Sequence, residues 1–164
     1  MQIANPANMS YRVVLAERRH LDLILPLFED YRSFYQMPVA ATASRLFLLD
    51  RIANEESVVL FAADKDGRAV GFVQLYPSFS SVRLCRHWIL NDLFVETTSR
   101  RRGVARALLT AAVEFAAARG EGSLELATQK TNEAAQRLYE SMGWDRDVEF
   151  ERYFFGSESA GAGS

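Results

Sequence analysis

At 164 residues, with 49% hydrophobic and 24% charged side chains, the chain has the length and composition of one globular domain. A formal net charge of −2 and a pI of about 5.7 argue against a general nucleic-acid binder, which carries a basic surface. A lone cysteine, Cys85, excludes an internal disulfide and suits a reducing compartment, and no apolar run approaches the roughly 20 residues that span a bilayer.

Residues 1–9 and 157–164 read as flexible tails, the second rich in Ser, Gly and Ala, around a single domain over 10–156. Met1 to Ser10 lacks the basic start and apolar core of a signal peptide, so a cytoplasmic location is expected. Tyr11 to Leu15 is a short strand. Leu21, Ile24, Leu25, Phe28, Tyr31 and Phe34 then recur at helical spacing, and Pro38 separates this helix from a second over about Ala43 to Ala53. Ser57 to Ala63 is a β-branched and aromatic strand, Asp64-Lys65-Asp66-Gly67 a hairpin turn, and Ala69 to Phe79 the returning strand. Leu84 to Glu96 is a long apolar strand. Val104 to Arg119 is an alanine-rich helix with a stripe of Val104, Leu108, Ala111 and Phe115. Leu124 to Ala127 is a strand, and Glu133 to Met142 a short helix closed by Gly143. Trp144 and the stretch Val148 to Phe155 are expected to supply two final strands. The order β-α-α-β-β-β-α-β-α-β-β predicts an α/β sandwich: a mixed, mostly antiparallel sheet flanked by about four helices.

The junction from Asn91-Asp92-Leu93-Phe94-Val95-Glu96 into Arg100-Arg101-Arg102-Gly103-Val104-Ala105-Arg106 carries the most chemistry. A strand ends, a basic turn follows, and a helix starts at a glycine. Unpaired backbone N–H groups at the positive end of a helix dipole bind phosphate, and Gly103 admits the anion without a Cβ in the way. A solvated charged turn or a nucleic-acid patch would account for the arginines alone, but no second basic cluster or interleaved aromatic supports the latter. Arg100-x-x-Gly103-x-Ala105 at this junction resembles the pyrophosphate-binding signature of the GNAT family of N-acetyltransferases. Asn132-Glu133-Ala134-Ala135-Gln136-Arg137-Leu138-Tyr139-Glu140-Ser141-Met142-Gly143-Trp144 resembles that family's second motif, in the expected order, and the likeness covers roughly residues 10–155.

The resemblance implies acetyl-coenzyme A as co-substrate and direct transfer to an amine without an acyl-enzyme. It implies that Arg100 to Arg106 hold the pyrophosphate, that Asn132, Ala135 and Tyr139 line the pantetheine groove, and that the strand at Leu93 to Val95 is bulged. Backbone groups of Leu93, Phe94 and Val95 would then pair with pantetheine and hold the thioester oxygen. Tyr139 is the implied general acid; a phenol can protonate a departing thiolate, whose own pKa is near 8.5.

An alkyl ammonium needs a carboxylate to attract it and take its proton, and Asp92 and Glu96 are the two candidates. Asn91-Asp92-Leu93-Phe94-Val95 is similar to the subgroup of diamine and fungal histone or polyamine acetyltransferases, although Asn91 stands where the diamine enzymes carry a second acid. Tyr31, Arg32, Tyr35 and Trp88, with Asp92, are candidates for the acceptor groove, the aromatics through cation–π contact. His20 and His87 lack metal-type partners and Cys85 lacks a dyad, so neither a metal nor a cysteine nucleophile is expected. Neither a nucleic-acid nor a membrane partner is expected. The aromatic stretch Phe150 to Phe155 raises a homodimer as an expectation. A coenzyme-binding sensor without catalysis, or an enzyme that uses longer acyl chains past Phe94 and Ala135, are the alternatives.

Overall fold

The computed structural model describes residues 11–120, 123–153 and 155; the expected tails at 1–9 and 157–164 lie outside them. The chain falls into two compact units, one running to Ala127 and the other from Thr128.

The first unit is a sheet with helices on both faces. Its strands are β1 (Arg12–Leu15), β2 (Val58–Ala63), β3 (Ala69–Ser80), β4 (Cys85–Val95) and β5 (Leu124–Leu126), ordered as in the sequence. The first four pair antiparallel and β5 runs parallel to β4. The expected hairpin turn joins β2 to β3. Gly67 adopts φ +80° there, and the Asp64 carboxylate accepts from the N–H groups of Asp66 and Arg68.

Helices α1 (Leu21–Phe34) and α2 (Ala41–Ala53) cover one face, and α3 (Val104–Ala117) lies against β2, β3 and β4 on the other. On the α1 face Leu21, Ile24, Leu27 and Phe28 pack with Leu48 of α2 over Val59, Phe61, Phe72 and Phe94 of the sheet. Phe72 is fully buried among the rings of Phe28, Tyr31 and Phe94 at 6.0, 5.8 and 6.4 Å. Burying one such phenylalanine is worth about 1.5–3 kcal/mol. The expected stripe on α3, from Val104 to Phe115, is buried throughout.

The second unit contains α4 (Glu133–Glu140), capped by the Asn132 side chain, which accepts from the Ala135 N–H at 3.3 Å. The two final strands expected at Trp144 and Val148 to Phe155 are absent among the described residues. A physical cause is visible at Asp147, whose Oδ1 accepts from the backbone N–H groups of Glu149 at 2.9 Å and Phe150 at 3.2 Å. That local turn diverts two donors from any ladder. Val148, Phe150, Tyr153 and Phe155 are correspondingly exposed.

Candidate active site

Strand β4 carries the bulge that the resemblance implied, but two residues earlier than expected. The register with β3 runs Gln74↔Asp92 and then Leu75↔Leu90, so Asn91 is the extra residue. A regular strand would put Trp88 and Asp92 on one face, because they are four residues apart. The bulge reverses that parity. Asp92 and Phe94 face α1, whereas Trp88 is buried, 5% exposed, against Phe115 of α3 at 5.4 Å. Trp88 is therefore a core residue on the opposite face, and its expected place in the acceptor groove is corrected.

Asp92 is 6% exposed. Its Oδ1 accepts from the Tyr31 hydroxyl at 2.6 Å and from the Asn91 amide at 3.0 Å. Burial raises its carboxyl above the ordinary aspartate value, and those two hydrogen bonds only partly offset the shift. Burial, followed by the bond to Asp92, pushes the Tyr31 phenol up as well, so it stays a donor. Tyr76, on β3, is pushed up to about 12 by burial and then by the Asp92 charge. Tyr31 also meets Tyr35 edge-on at 5.2 Å, and Tyr35 meets Phe34 at the same distance, giving an aromatic path from Asp92 outward.

Glu96 sits four residues along and is held differently. Arg68 grips it with two bonds of 2.8 and 2.9 Å, and Ser99 and Thr98 donate at 2.7 and 3.1 Å. Burial opposes its charge, but these donors win and hold the carboxyl below the ordinary glutamate value. Glu96 thereby anchors the turn that leads into α3. Arg32 is similarly engaged: it pairs with Glu29 at 3.1 Å and reaches the Ser44 hydroxyl at 3.3 Å. Glu29 also receives the Ser44 hydroxyl and the Ala40 N–H, which closes the corner between α1 and α2. The acceptor-binding expectation for Arg32 thus meets a side chain already paired within the fold.

Between Glu96 and α3 the backbone is bent into a cradle. Thr97–Ser99 form one 3-10 turn, and Arg101 and Gly103 take left-handed φ values of +60° and +83°. No side chain caps α3 and no acid lies in its first turn, so the N–H groups of Val104, Ala105 and Arg106 face an electropositive opening. Arg101, Arg102 and Arg106 are exposed there. Arg100, also exposed, folds back on β4, with its Nε donating to the Val95 carbonyl at 3.0 Å and its guanidinium 5.8 Å from the Phe94 ring centre.

The Glu96 N–H donates to the Val70 carbonyl on β3 at 3.0 Å. By the two-residue alternation of a strand, the Phe94 backbone also faces β3, and the N–H groups of Leu93 and Val95 face the other way. β5 pairs with β4 only at Trp88 to Leu90, so among the described residues no strand takes up those N–H groups. Of the three residues expected to act through backbone groups, Leu93 and Val95 thus turn N–H groups to the open side, while the Val95 carbonyl is taken by Arg100. In the second unit, Asn132 serves as the α4 cap and Ala135 is half-buried beside it, while the half-buried Tyr139 ring packs on Trp144 at 6.1 Å.

A bulged strand, an uncapped helix after a basic turn and a following Asn-capped helix are the parts on which family membership turns, and the model of the acetyltransferase (GNAT) family matches residues 24–144. The chain belongs to the GNAT acetyltransferase family. This acetyltransferase is 43% identical over 130 residues to a Bacillus subtilis protein named uncharacterized N-acetyltransferase YhfO, covering 79% of this chain and 87% of the relative. The crystal structure of a probable acetyltransferase aligns with it at a TM-score of 0.84 and 44% identity, over 90% of this chain and 99% of that one. Aminoglycoside N-acetyltransferase AAC(6')-Iy, solved in complex with CoA, shares the fold at a TM-score of 0.74 and 20% identity, over 94% and 99% of the two chains.

Sequence reasoning about this acetyltransferase missed Gln74, the fully buried neighbour of Asp92 on β3, and Gly71, whose added Cβ would lie 2.8 Å from the Phe94 carbonyl oxygen. The signal for Gly71 was a lone glycine inside a strand pattern. Among the described residues, no three His, Cys, Asp or Glu side chains gather as a metal site requires, and no helix is long and apolar enough to cross a membrane.

Proposed function

We propose that this acetyltransferase moves the acetyl group of acetyl-CoA directly to a primary amine, with Asp92 rather than Glu96 as the general base. The observation that carries this reading is the contrast between the two carboxylates. Asp92 is buried, raised in proton affinity and, among the described residues, bonded on one oxygen only, whereas Glu96 already accepts four hydrogen bonds. A base must have an oxygen to spare and an affinity brought toward that of the amine proton. Asp92 meets both requirements.

In this reading the α3 N-terminus and the exposed arginines hold the pyrophosphate, a role supported by the uncapped first turn. The free N–H groups of Leu93 and Val95 pair with pantetheine and steady the thioester oxygen as it gains charge. Asp92 draws the acceptor ammonium in and removes its proton. The amine nitrogen bonds to the carbonyl carbon, the carbon–sulfur bond breaks, and Tyr139 protonates the leaving sulfur, a role that rests on its place in the second motif; the new amide nitrogen sheds its extra proton to solvent, and solvent returns one to the Tyr139 phenolate. The CoA bound to the aminoglycoside enzyme of the same fold is consistent with the donor half. A single buried carboxylate beside Asn91 supports an acceptor recognised through one ammonium, small-molecule or lysine-type, over a dication held by paired acids. A pairing of two chains through 150–155 would suit the exposed aromatics there. A coenzyme sensor without turnover would have no use for a desolvated aspartate.

The test is coenzyme A release from acetyl-CoA across polyamines, amino acids, aminoglycosides and lysine peptides. Saturable release with one amine is the expected result. Acetyl-CoA binding by calorimetry with no release from any amine would favour the sensor.

A further inference from the structure

Gln74 is fully buried on β3, directly opposite Asp92 in the β3–β4 register. Its Nε2 donates to the Ser57 hydroxyl at 2.8 Å, which fixes the orientation of the amide. Its Oε1 is buried with no hydrogen-bond partner among the described residues. An orphaned carbonyl costs about 1–3 kcal/mol, so its retention in a core that could hold a leucine calls for a reason.

Asp92 supplies that reason. Opposite residues on paired strands share a face, with Cβ atoms roughly 4.5–5.5 Å apart, and a glutamine amide spans that distance directly or through one water. Among the described residues both bonds to Asp92 fall on Oδ1, which leaves Oδ2 as the oxygen that can gain a proton. While Asp92 is ionised, Oδ2 and the Gln74 Oε1 are two acceptors without a donor between them. One proton on Oδ2 converts the carboxylate into a donor, and the pair is then satisfied.

We propose that Gln74 is a positioning residue whose Oε1 accepts a hydrogen bond from Asp92 in its protonated form, holding the proton that Asp92 takes from the acceptor amine. This rests on Asp92 as the base. The proton leaves the amine nitrogen, bonds to Oδ2 and is shared with Oε1 until it passes to solvent, so the enzyme returns to its starting state. The titratable groups facing Asp92 are Tyr31 from α1 and Tyr76 from β3, with the Arg51–Glu56 pair acting on Tyr76. Both phenols remain neutral through the acidic range, so neither produces an acidic limb.

The experiment is the pH profile of kcat/KM, with thermal melting in parallel, for the wild type, Gln74→Met, Ser57→Ala and Asp92→Asn. Loss of the acceptor destabilises protonated Asp92, so Gln74→Met moves the acidic limb down by about one pH unit. Ser57→Ala, which releases the glutamine amide but keeps its carbonyl, moves the limb the same way by less and is read on its own if Gln74→Met folds poorly. A limb left at the wild-type position in the folded variants, with only the melting temperature lowered, would overturn the assignment and make Gln74 a packing residue. Asp92→Asn separates the two levels. A limb lost in Asp92→Asn but unmoved by Gln74→Met removes the Gln74 role alone, whereas a wild-type limb in Asp92→Asn removes the base and the Gln74 role with it.

Discussion

Asp92 and Glu96 belong to the same stretch of chain, four residues apart, yet the fold treats them in opposite ways. Around Asp92 the neighbours are rings and a glutamine, and among the described residues only Tyr31 and Asn91 supply donors. Around Glu96 an arginine and two hydroxyls saturate the carboxylate. Asp92 is buried and Glu96 only half-buried, so burial and the number of donors together separate them. A carboxylate short of donors holds its proton more tightly and suits chemistry, whereas a saturated one gives it up early and serves as an anchor.

The largest effect expected on that contrast comes from Asp92→Asn, which lowers kcat/KM by about 10²- to 10⁴-fold. The same change removes a charge that is costly to bury, so the melting temperature does not fall; a variant both active and less stable would reverse the assignment. Glu96→Gln has the complementary signature: a loss of about 1–3 kcal/mol in urea unfolding with the acidic limb of kcat/KM unmoved. The sign follows from linkage. Glu96 is lowered in the fold, so its contribution is present above the ordinary glutamate pKa and disappears as pH falls through the folded value. The stability gap between wild type and Glu96→Gln should therefore begin to narrow below the ordinary glutamate pKa and close only below the lower folded value.

Tyr31→Phe sharpens the Asp92 side. The lost hydrogen bond favoured the ionised carboxyl, so the acidic limb moves up and kcat/KM falls by about tenfold at neutral pH. An unmoved limb would place the Tyr31 contact outside the catalytic pathway. The smallest effect is at Arg68, whose side chain is 61% exposed. Arg68→Ala should lower the melting temperature less than Glu96→Gln does, with most of the difference gone in roughly 1 M salt.

Much of this could be read from the residues. The stripe on α3, the Asp64–Gly67 turn and the cradle at Gly103 declare themselves through local spacing, because helix period, turn chemistry and capping are properties of neighbours in sequence. What escaped depends on partners distant in the chain. The 2.6 Å bond from Tyr31 to Asp92 joins residues 61 apart, and the Arg68 grip on Glu96 joins residues 28 apart. Trp88, expected in the acceptor groove beside Asp92, lies on the other face because one inserted residue, Asn91, inverts the alternation between them. The stretch from Val148 has strand composition, but composition supplies no ladder partner, and Asp147 claims two of its N–H groups first.

Gly71 connects the two faces of the comparison. The space a methyl group would fill is bounded by the Phe94 carbonyl oxygen at 2.8 Å, the Val95 Cγ2 at 3.2 Å and the Val104 Cγ1 at 3.3 Å. Those three residues belong to the bulged strand β4 and to the first turn of α3. One missing carbon thus sets the clearance between the two elements that the proposed function assigns to the donor's pyrophosphate and to its acyl end. For an engineer who wishes to change the donor, position 71 is a buried spacer between two packed elements, and a library that varies only exposed positions would pass over it.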